Sequence, residues 1–242
     1  MIYARRTAVL AMFLIVGLIW VGCSDESGEP IGSSTSGSGV SVWFPLDPGY
    51  SATYVVEHSD GSSETVRYAI GAATTFQGET AIPWQATSSD GSYTTAHLKT
   101  DRNSLYYYPN QYSGGEKILK TPLTTGSSWK INEGADTLTT GGGLGYLDTL
   151  DILPDDPFGP LAASFPVTGS VTMTVAGYEG ADLSTGQLFG NAVKVVSTNT
   201  QTGKSSYYWY SAGVGLVKWA KGVPGDTLSR AEETGEITKY GF

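Results

Sequence analysis

The chain has 242 residues, with 14 basic and 23 acidic side chains and a formal charge of −9 at neutral pH. We expect no nucleic-acid partner, because binding to phosphates requires a basic face. A single cysteine excludes an internal disulfide framework and a cysteine-rich zinc site. A hydrophobic content of 40% is enough for a packed core, which excludes a chain that is disordered throughout.

The first 22 residues read as a secretory signal peptide. Arg5 and Arg6 form a basic start, and the stretch from Ala8 to Val21 that follows is apolar and carries no charge. This order is typical of an export signal, whereas a transmembrane helix needs about 20 apolar residues. Residues 1–22 are therefore predicted to be removed on export.

The cysteine that follows the apolar run predicts a lipid anchor. Trp20 to Cys23 resembles a bacterial lipobox, although the family pattern usually has Leu where this chain has Trp20. The resemblance implies that Cys23 receives a diacylglyceryl group and becomes the mature N-terminus, so the protein is anchored to a membrane without spanning it. In a Gram-negative cell, Ser24 resembles the signal for outer-membrane sorting. The alternative is an ordinary signal peptide with an incidental cysteine.

A flexible tether is expected to join the anchor to one folded domain. Residues 23–40 are rich in Gly and Ser, and such a tract behaves as a coil with a root-mean-square reach of about 20–25 Å. Residues 41–242 contain no second linker and are long enough to bury most of their apolar surface. We therefore predict one globular domain after the tether.

The pattern of this domain predicts strands throughout. Asp60-Gly61 separates the β-rich runs Thr53 to Glu57 and Glu64 to Ile70, and Asp90-Gly91 separates a second such pair. Further strands are predicted at Leu105–Tyr108, Ser170–Tyr178, Ala192–Thr198, Ser205–Tyr210 and Leu216–Ala220, with turns at Thr202-Gly203, Pro224-Gly225 and Thr234-Gly235. Short strands at this spacing predict an all-β fold, an antiparallel sandwich or a partly open barrel.

Two segments repeat the spacing Pro-Leu-x-x-Gly, Phe44 to Ser51 and Thr121 to Ser128. Each predicts a turn that presents a leucine and then starts a strand. They mark either equivalent corners of one sheet system or a chance recurrence of turn chemistry.

Three stretches together resemble a family of uncharacterised bacterial exported proteins and lipoproteins. They are Phe44–Tyr54, Leu119–Trp129 and Tyr207–Trp219, the last of which contains an aromatic strand followed by Gly-Val-Gly-Leu-Val-Lys. The resemblance implies a β-rich envelope domain and no particular activity. Gly213 and Gly215 are expected in a hairpin turn, with Lys218 solvated. A phosphate-binding loop is disfavoured, because such a loop leads into a helix.

Candidate chemistry is sparse. His58 and His97 are the only histidines, and two of them could join a carboxylate at a metal, but surface strand positions explain them better. The stretch 141–166 has four acids among apolar residues, and it reads as a loop that caps the sheet, a calcium loop or a lid. Tyr106–Tyr108 with Tyr112 reads either as a sugar-stacking platform or as core and surface of a strand. The four acids are Asp148, Asp151, Asp155 and Asp156.

The sequence thus favours a membrane-anchored bacterial envelope lipoprotein that is not an enzyme and acts by binding or by structural association. Its predicted partners are the membrane, through the lipid on Cys23, and either an envelope protein or a small apolar ligand. No cofactor and no metal are expected. The alternatives are a carrier or chaperone for an apolar ligand, with residues 144–166 as its lid, and a hydrolase that uses paired Asp residues.

Overall fold

The computed structural model of the protein describes residues 39–111, 114–131, 171–199, 204–225 and 227–242. Within these ranges no helix is long and apolar enough to cross a membrane. The described elements, in chain order, are α1 (Val40–Trp43), β1 (Ser51–His58), β2 (Ser63–Ile70), β3 (Thr74–Phe76), β4 (Glu79–Ser88), β5 (Tyr93–Thr100), β6 (Ser104–Tyr108), β7 (Glu116–Lys120), β8 (Ser128–Lys130), β9 (Val171–Asp182), β10 (Leu188–Asn199), β11 (Lys204–Ser211), β12 (Gly215–Pro224), a 3-10 turn (Leu228–Arg230) and β13 (Glu233–Gly241).

The strands form one antiparallel sheet made of two meanders. The order in space is β7-β6-β5-β4-β2-β1-β13-β12-β11-β10-β9-β8, and the short strand β3 pairs with β4 beside this path. The pairing of β1 with β13 joins the two meanders at the centre. Each meander follows the chain from one strand to the next, as hairpin connections favour.

The two edges of this sheet meet, so the sheet curls into a nearly closed barrel. The backbone N–H of Lys117 in β7 donates to the carbonyl of Ile131, just after β8, at 2.8 Å. The indole Nε1 of Trp129 donates to the carbonyl of Lys117 at 2.9 Å. Such closure covers edge strands that would otherwise pair with other chains. The all-β prediction is confirmed, and of the two predicted forms the barrel is the one observed.

The two Pro-Leu-x-x-Gly segments hold equivalent places. The first leads into β1, which opens one meander, and the second leads into β8, which opens the other. Gly49 and Gly126 have φ angles of 94° and 84°, a conformation that glycine adopts without steric cost. The repeated spacing therefore marks two equivalent corners of the sheet.

Because neighbouring strands are antiparallel, their connections alternate between two ends of the barrel. One end carries α1 and the turns 44–50, 121–127 and 212–214; we call it the α1 end. The other end carries the connections 59–62, 89–92 and 225–232; we call it the charged end, for the side chains described below. The carbonyl of Val42 accepts a hydrogen bond from Gly213 at 2.7 Å, which holds α1 on its end of the barrel.

An aromatic chain fills the interior next to α1. Neighbouring rings lie 4.6–5.9 Å apart, and the rings in order are Tyr107, Trp84, Tyr68, Tyr54 and Trp219. The hydroxyl of Tyr54 donates to the carbonyl of Leu216 at 2.6 Å, and burial raises its pKa well above the ordinary value. Buried aromatic pairs of this kind add to the stability that their apolar area supplies.

A small apolar cavity lies between α1 and this aromatic chain. Its walls include Phe44, Pro45, Tyr50, Trp84 and Leu216. The enclosed space has room for about one water molecule, far less than the volume of about 300 Å³ at which ligand sites begin. This part of the barrel is a packed core.

Two predicted hairpin turns are confirmed. Gly61 and Gly91 have positive φ angles of 84° and 86°. In the first turn, Oδ1 of Asp60 accepts the N–H of Ser62 at 2.8 Å, and Asp90 repeats this bond in the second. Asp-Gly therefore acts in both places as the sequence pattern predicts.

The predicted turn at Thr234-Gly235 is wrong. Both residues lie inside strand β13, where they pair with Ala220 and Trp219. The glycine has a packing role, because a Cβ at position 235 would lie 2.1 Å from the ring of Trp219. The predicted turn at 202–203 lies outside the described residues.

Candidate functional site

A buried ion pair lies inside the barrel near its charged end. Trp219 and Lys221 alternate with outward residues along β12, so both side chains point to the interior. Nζ of Lys221 lies 2.6 Å from Oε1 of Glu233, and the side chains are only 4% and 13% exposed. The indole Nε1 of Trp219 donates to the same oxygen at 2.8 Å.

His58 and Glu64 continue this pair toward the rim. His58 lies opposite Glu233 in the β1–β13 ladder, and Glu233 lies opposite Lys221 in the β13–β12 ladder, so the three share one face. Nε2 of His58 is 3.6 Å from Oε1 of Glu64, with side chains 28% and 27% exposed. The four residues, Glu64, His58, Glu233 and Lys221, form what we call the charged row.

The charged row presents side chains that can recognise a charged or polar group. The 3.6 Å between His58 and Glu64 exceeds a hydrogen bond, so the carboxylate does not fix the imidazole as a triad requires. Within the described ranges there is no group of three His, Cys, Asp or Glu side chains that could hold a metal ion. The rim half of the row is accessible, and the Lys221 half is anchored in the core.

Three further acids, Asp60, Asp90 and Glu79, take part in turns or ion pairs. Hydrogen bonds from Ser62 and Ser92 lower the pKa values of the turn residues Asp60 and Asp90. On the outer surface, Glu79 pairs with Lys99 at 2.8 Å. These carboxylates are committed to turns and ion pairs.

The residues with the strongest functional predictions lie outside the described ranges. They are Cys23, Tyr112, the acids Asp148, Asp151, Asp155 and Asp156, and the lid 144–166. The flanking residues show only where that long connection leaves the barrel. The N–H of Ile131 donates to the carbonyl of Val171 at 3.1 Å, and β9 and β10 place this point at the charged end.

The second histidine lies on the outer surface, away from the charged row. The ring of His97 stacks on Phe76 with centroids 4.0 Å apart. Burial lowers the pKa of His97, and the nearby Lys99 lowers it further. The structure does not bring His58 and His97 together as a pair of metal ligands.

Tyr106–Tyr108 divide between core and surface. Tyr107 is fully buried and forms one end of the aromatic chain, while Tyr106 and Tyr108 lie half-buried on the outer face. Nζ of Lys99 lies 4.8 Å from the centroid of the Tyr108 ring, and Nζ of Lys117 lies 5.7 Å from that of Tyr106. The ammonium groups of Lys99 and Lys117 thus lie over the ring faces on which a sugar would stack.

The glycine-rich segment 213–218 forms a structural hairpin. Gly213 and Gly215 have φ angles of 77° and 96°, and a Cβ at position 215 would lie 3.0 Å from Pro45. The turn thus packs directly beneath the segment that follows α1. No phosphate-binding helix follows, since the chain continues as β12.

The expected solvation of Lys218 is wrong. Its Nζ lies 2.7 Å from Oε1 of Glu236 and donates to the carbonyl of Asp182 at 2.7 Å. The N–H of Ser184 donates to the other oxygen of Glu236 at 2.6 Å. Lys218 and Glu236 thus fasten the turn between β9 and β10 onto the outer face of β12 and β13.

An aromatic strip on the same outer face is covered by charged side chains. Tyr207 and Trp209 stack with ring centroids 6.2 Å apart, and Nζ of Lys194 lies 5.1 and 5.2 Å from the two rings. Glu179 accepts a hydrogen bond from the indole of Trp209 at 2.7 Å and pairs with Lys194 at 3.1 Å. Trp209 is only 3% exposed, so the strip is no free binding platform.

Sequence reasoning missed Lys221 and Glu233. The alternation of Val217, Trp219, Lys221 and Val223 was the available signal, because period-two spacing places Lys221 on the same face as Trp219. A lysine on a core face requires a buried acid as its partner. The sequence did not identify Glu233 as this partner, because Thr234-Gly235 predicts a turn next to it.

Comparisons with known proteins give few matches. No model of a protein family matches the chain, and no curated protein matches it. Two solved structures resemble it at 11% identity, each over 83% of this chain and 99% of the other. One is a candidate exported protein with a YMCC-like fold from Bacteroides fragilis, with a TM-score of 0.41, and the other is a candidate lipoprotein from Parabacteroides distasonis, with a TM-score of 0.40.

Proposed function

We propose that the protein is a lipid-anchored bacterial envelope protein that binds a partner at the charged end of its barrel and carries out no reaction of its own. Support for the anchor comes from the sequence, in which a basic start, an apolar run and Gly22-Cys23 follow one another. Two or more acyl chains on Cys23 would hold the protein stably on a membrane, because each buried CH₂ contributes about 0.8 kcal/mol.

The charged row is the observation that carries the binding role. Glu64 and His58 keep 27% and 28% of their side chains exposed, while Lys221 and Glu233 hold the row in the core. Polar groups held in place by a rigid barrel lose little entropy when a partner binds, which favours recognition. The partner would be another envelope component that presents charged or polar groups.

Fractionation of cells tests the anchor. Cys23→Ser should move the protein from the membrane fraction to the soluble fraction, because no acyl chain can be attached. Ser24→Ala keeps the cysteine and serves as the matched control for attachment. Membrane retention of Cys23→Ser, with an unmodified N-terminus, would refute the anchor.

Site-specific crosslinking in living cells tests the binding end. A photoreactive residue at position 64 should yield a discrete adduct with one envelope component, and His58→Ala should weaken that adduct. The control is the same photoreactive residue at Lys239, an exposed position near the other end of the barrel. Equal adducts from both positions, or adducts from position 239 alone, would refute the assignment to the charged end.

A further inference from the structure

We propose that the α1 end of the barrel rests on the lipid surface, so that the charged end points away from the membrane. This orientation rests on the proposed lipid anchor, and its partner is the bilayer itself. Two features of the molecule distinguish the ends and support it: where the tether enters, and how charge is divided. Exposed aromatic side chains beside the entry point supply apolar surface, although Tyr93 at the charged end is exposed as well.

The tether enters the barrel at the α1 end. The described chain begins at Gly39, and α1 follows directly and is held by the turn after β11 through the bond from Gly213 to Val42. Even fully extended, the residues from Cys23 to Gly39 span at most about 60 Å. The end that carries α1 is therefore the end to which the lipid-anchored segment is attached.

Aromatic side chains are exposed around this entry point. Trp43 of α1 packs edge-to-face on Tyr178 with ring centroids 6.3 Å apart, and Tyr178 is 54% exposed. Phe242, 90% exposed, packs on Tyr50 at 5.8 Å. Leu46, in the connection that follows α1, is partly buried and packs against the core. Trp and Tyr side chains favour the boundary between lipid and water, where one part of the ring is apolar and the other is hydrated.

Charge separates the two ends. Among the described residues, the connections of the α1 end carry both signs, with Asp47 and Asp101 beside Arg102 and Lys120. The connections of the charged end and the adjoining strand ends carry more acids than cations. Lys204 and Lys221 pair with Glu232 and Glu233, and Arg230 lies in the same connection as Glu232. The acids are Glu57, Asp60, Glu64, Asp90, Glu232 and Glu233. A negatively charged lipid surface therefore repels the charged end and tolerates the α1 end.

The sole cysteine makes a direct test simple. Because Cys23 is the only cysteine and is to be lipid-modified, a cysteine added elsewhere can be labelled alone. The full mature protein carrying a fluorophore at Asp47→Cys is reconstituted into vesicles of phosphatidylethanolamine and phosphatidylglycerol with brominated acyl chains. The matched control carries the label at Ser89→Cys, an exposed turn position at the charged end near the exposed Tyr93.

We expect bromine quenching severalfold stronger at position 47 than at position 89, and the double variant Tyr178→Ser with Phe242→Ser should reduce the quenching at position 47. Equal quenching at both positions, or stronger quenching at position 89, would overturn the orientation. The mass of the N-terminal peptide separates the two proposals. An acylated, vesicle-bound protein with equal quenching refutes the orientation alone, whereas a protein without acyl chains that stays in solution refutes the anchor and the orientation together.

Discussion

The indole of Trp219 lies directly over the backbone of Gly235, its partner across the β12–β13 ladder. A Cβ at position 235 would come within 2.1–2.4 Å of three ring atoms, closer than any unstrained contact. Trp219 is fully buried, contacts Tyr54 and donates to Glu233. The glycine is therefore what allows a tryptophan to join the aromatic chain to the charged row.

Gly235→Ala should destabilise the barrel by roughly 1–3 kcal/mol, because the added methyl group displaces Trp219 from a packed core. Gly190→Ala is the matched control, since Gly190 also lies in a strand and a Cβ there meets no atom within 4 Å. Thermal melts should show a lower Tm for the first variant and little change for the second. Equal Tm values for the two variants would mean that Trp219 moves aside freely.

Lys218→Ala should cost roughly 1–2 kcal/mol of stability, because the side chain fastens the β9–β10 turn by a charged hydrogen bond and an ion pair. Glu236 would then lose its cationic partner while only 16% exposed. Lys239→Ala, at an exposed position of β13, should leave the melting curve unchanged. Limited proteolysis near Ser184 gives a second readout, which should rise only for Lys218→Ala. A Lys218→Ala protein as stable and as resistant as Lys239→Ala would contradict the clamp.

Stability should fall with pH below about 4.5 in part through Glu236. Burial alone would raise the pKa of this carboxyl, but hydrogen bonds from Lys218 and Ser184 outweigh burial and hold the pKa below its ordinary value of 4.5. A lowered folded-state pKa contributes stability that is present above 4.5 and lost as the pH falls through the folded value. Melts from pH 7 to pH 3 should show a shallower acid loss for Glu236→Gln than for the wild type. Parallel pH profiles would contradict this linkage.

Breaking the interior ion pair from one side should be costly. Lys221→Met leaves the carboxylate of Glu233 buried without its cation, which typically costs about 3–5 kcal/mol. Adding Glu233→Gln removes the uncompensated charge and keeps an acceptor for the indole of Trp219, so the double variant should recover part of the loss. Chemical denaturation measures the free energy of unfolding of both variants. A double variant less stable than Lys221→Met would show that the uncompensated charge of Glu233 does not cause the loss of stability.

The sequence predicted this fold well where local chemistry decides the structure. Asp60-Gly61 and Asp90-Gly91 mark their hairpins because a glycine with positive φ and an aspartate that accepts backbone N–H groups suffice to make the turn. The two Pro-Leu-x-x-Gly segments likewise identify the strands that open each meander. Closure of the barrel through Lys117 and Ile131 could not be predicted, because no local pattern records which edges meet.

The candidate site was harder to predict, because its residues contact residues that are far away in the chain. Thr234-Gly235 is typical of a turn, and only the pairing of Gly235 with Trp219 and with Val56 shows that it lies in a strand. His58 was correctly placed in a strand, but its neighbours Glu233 and Lys221 come from strands more than 160 residues away in the chain. Alternation along β12 was the one local sign that a lysine enters the core.

The mass of the mature N-terminal peptide, purified from the membrane fraction of the native cell, tests the lipid anchor most directly. We expect a chain that begins at Cys23, lacks residues 1–22 and carries the added mass of a diacylglyceryl group on that cysteine. A mature chain that begins at another residue, or one that begins at Cys23 with a free thiol, would contradict it.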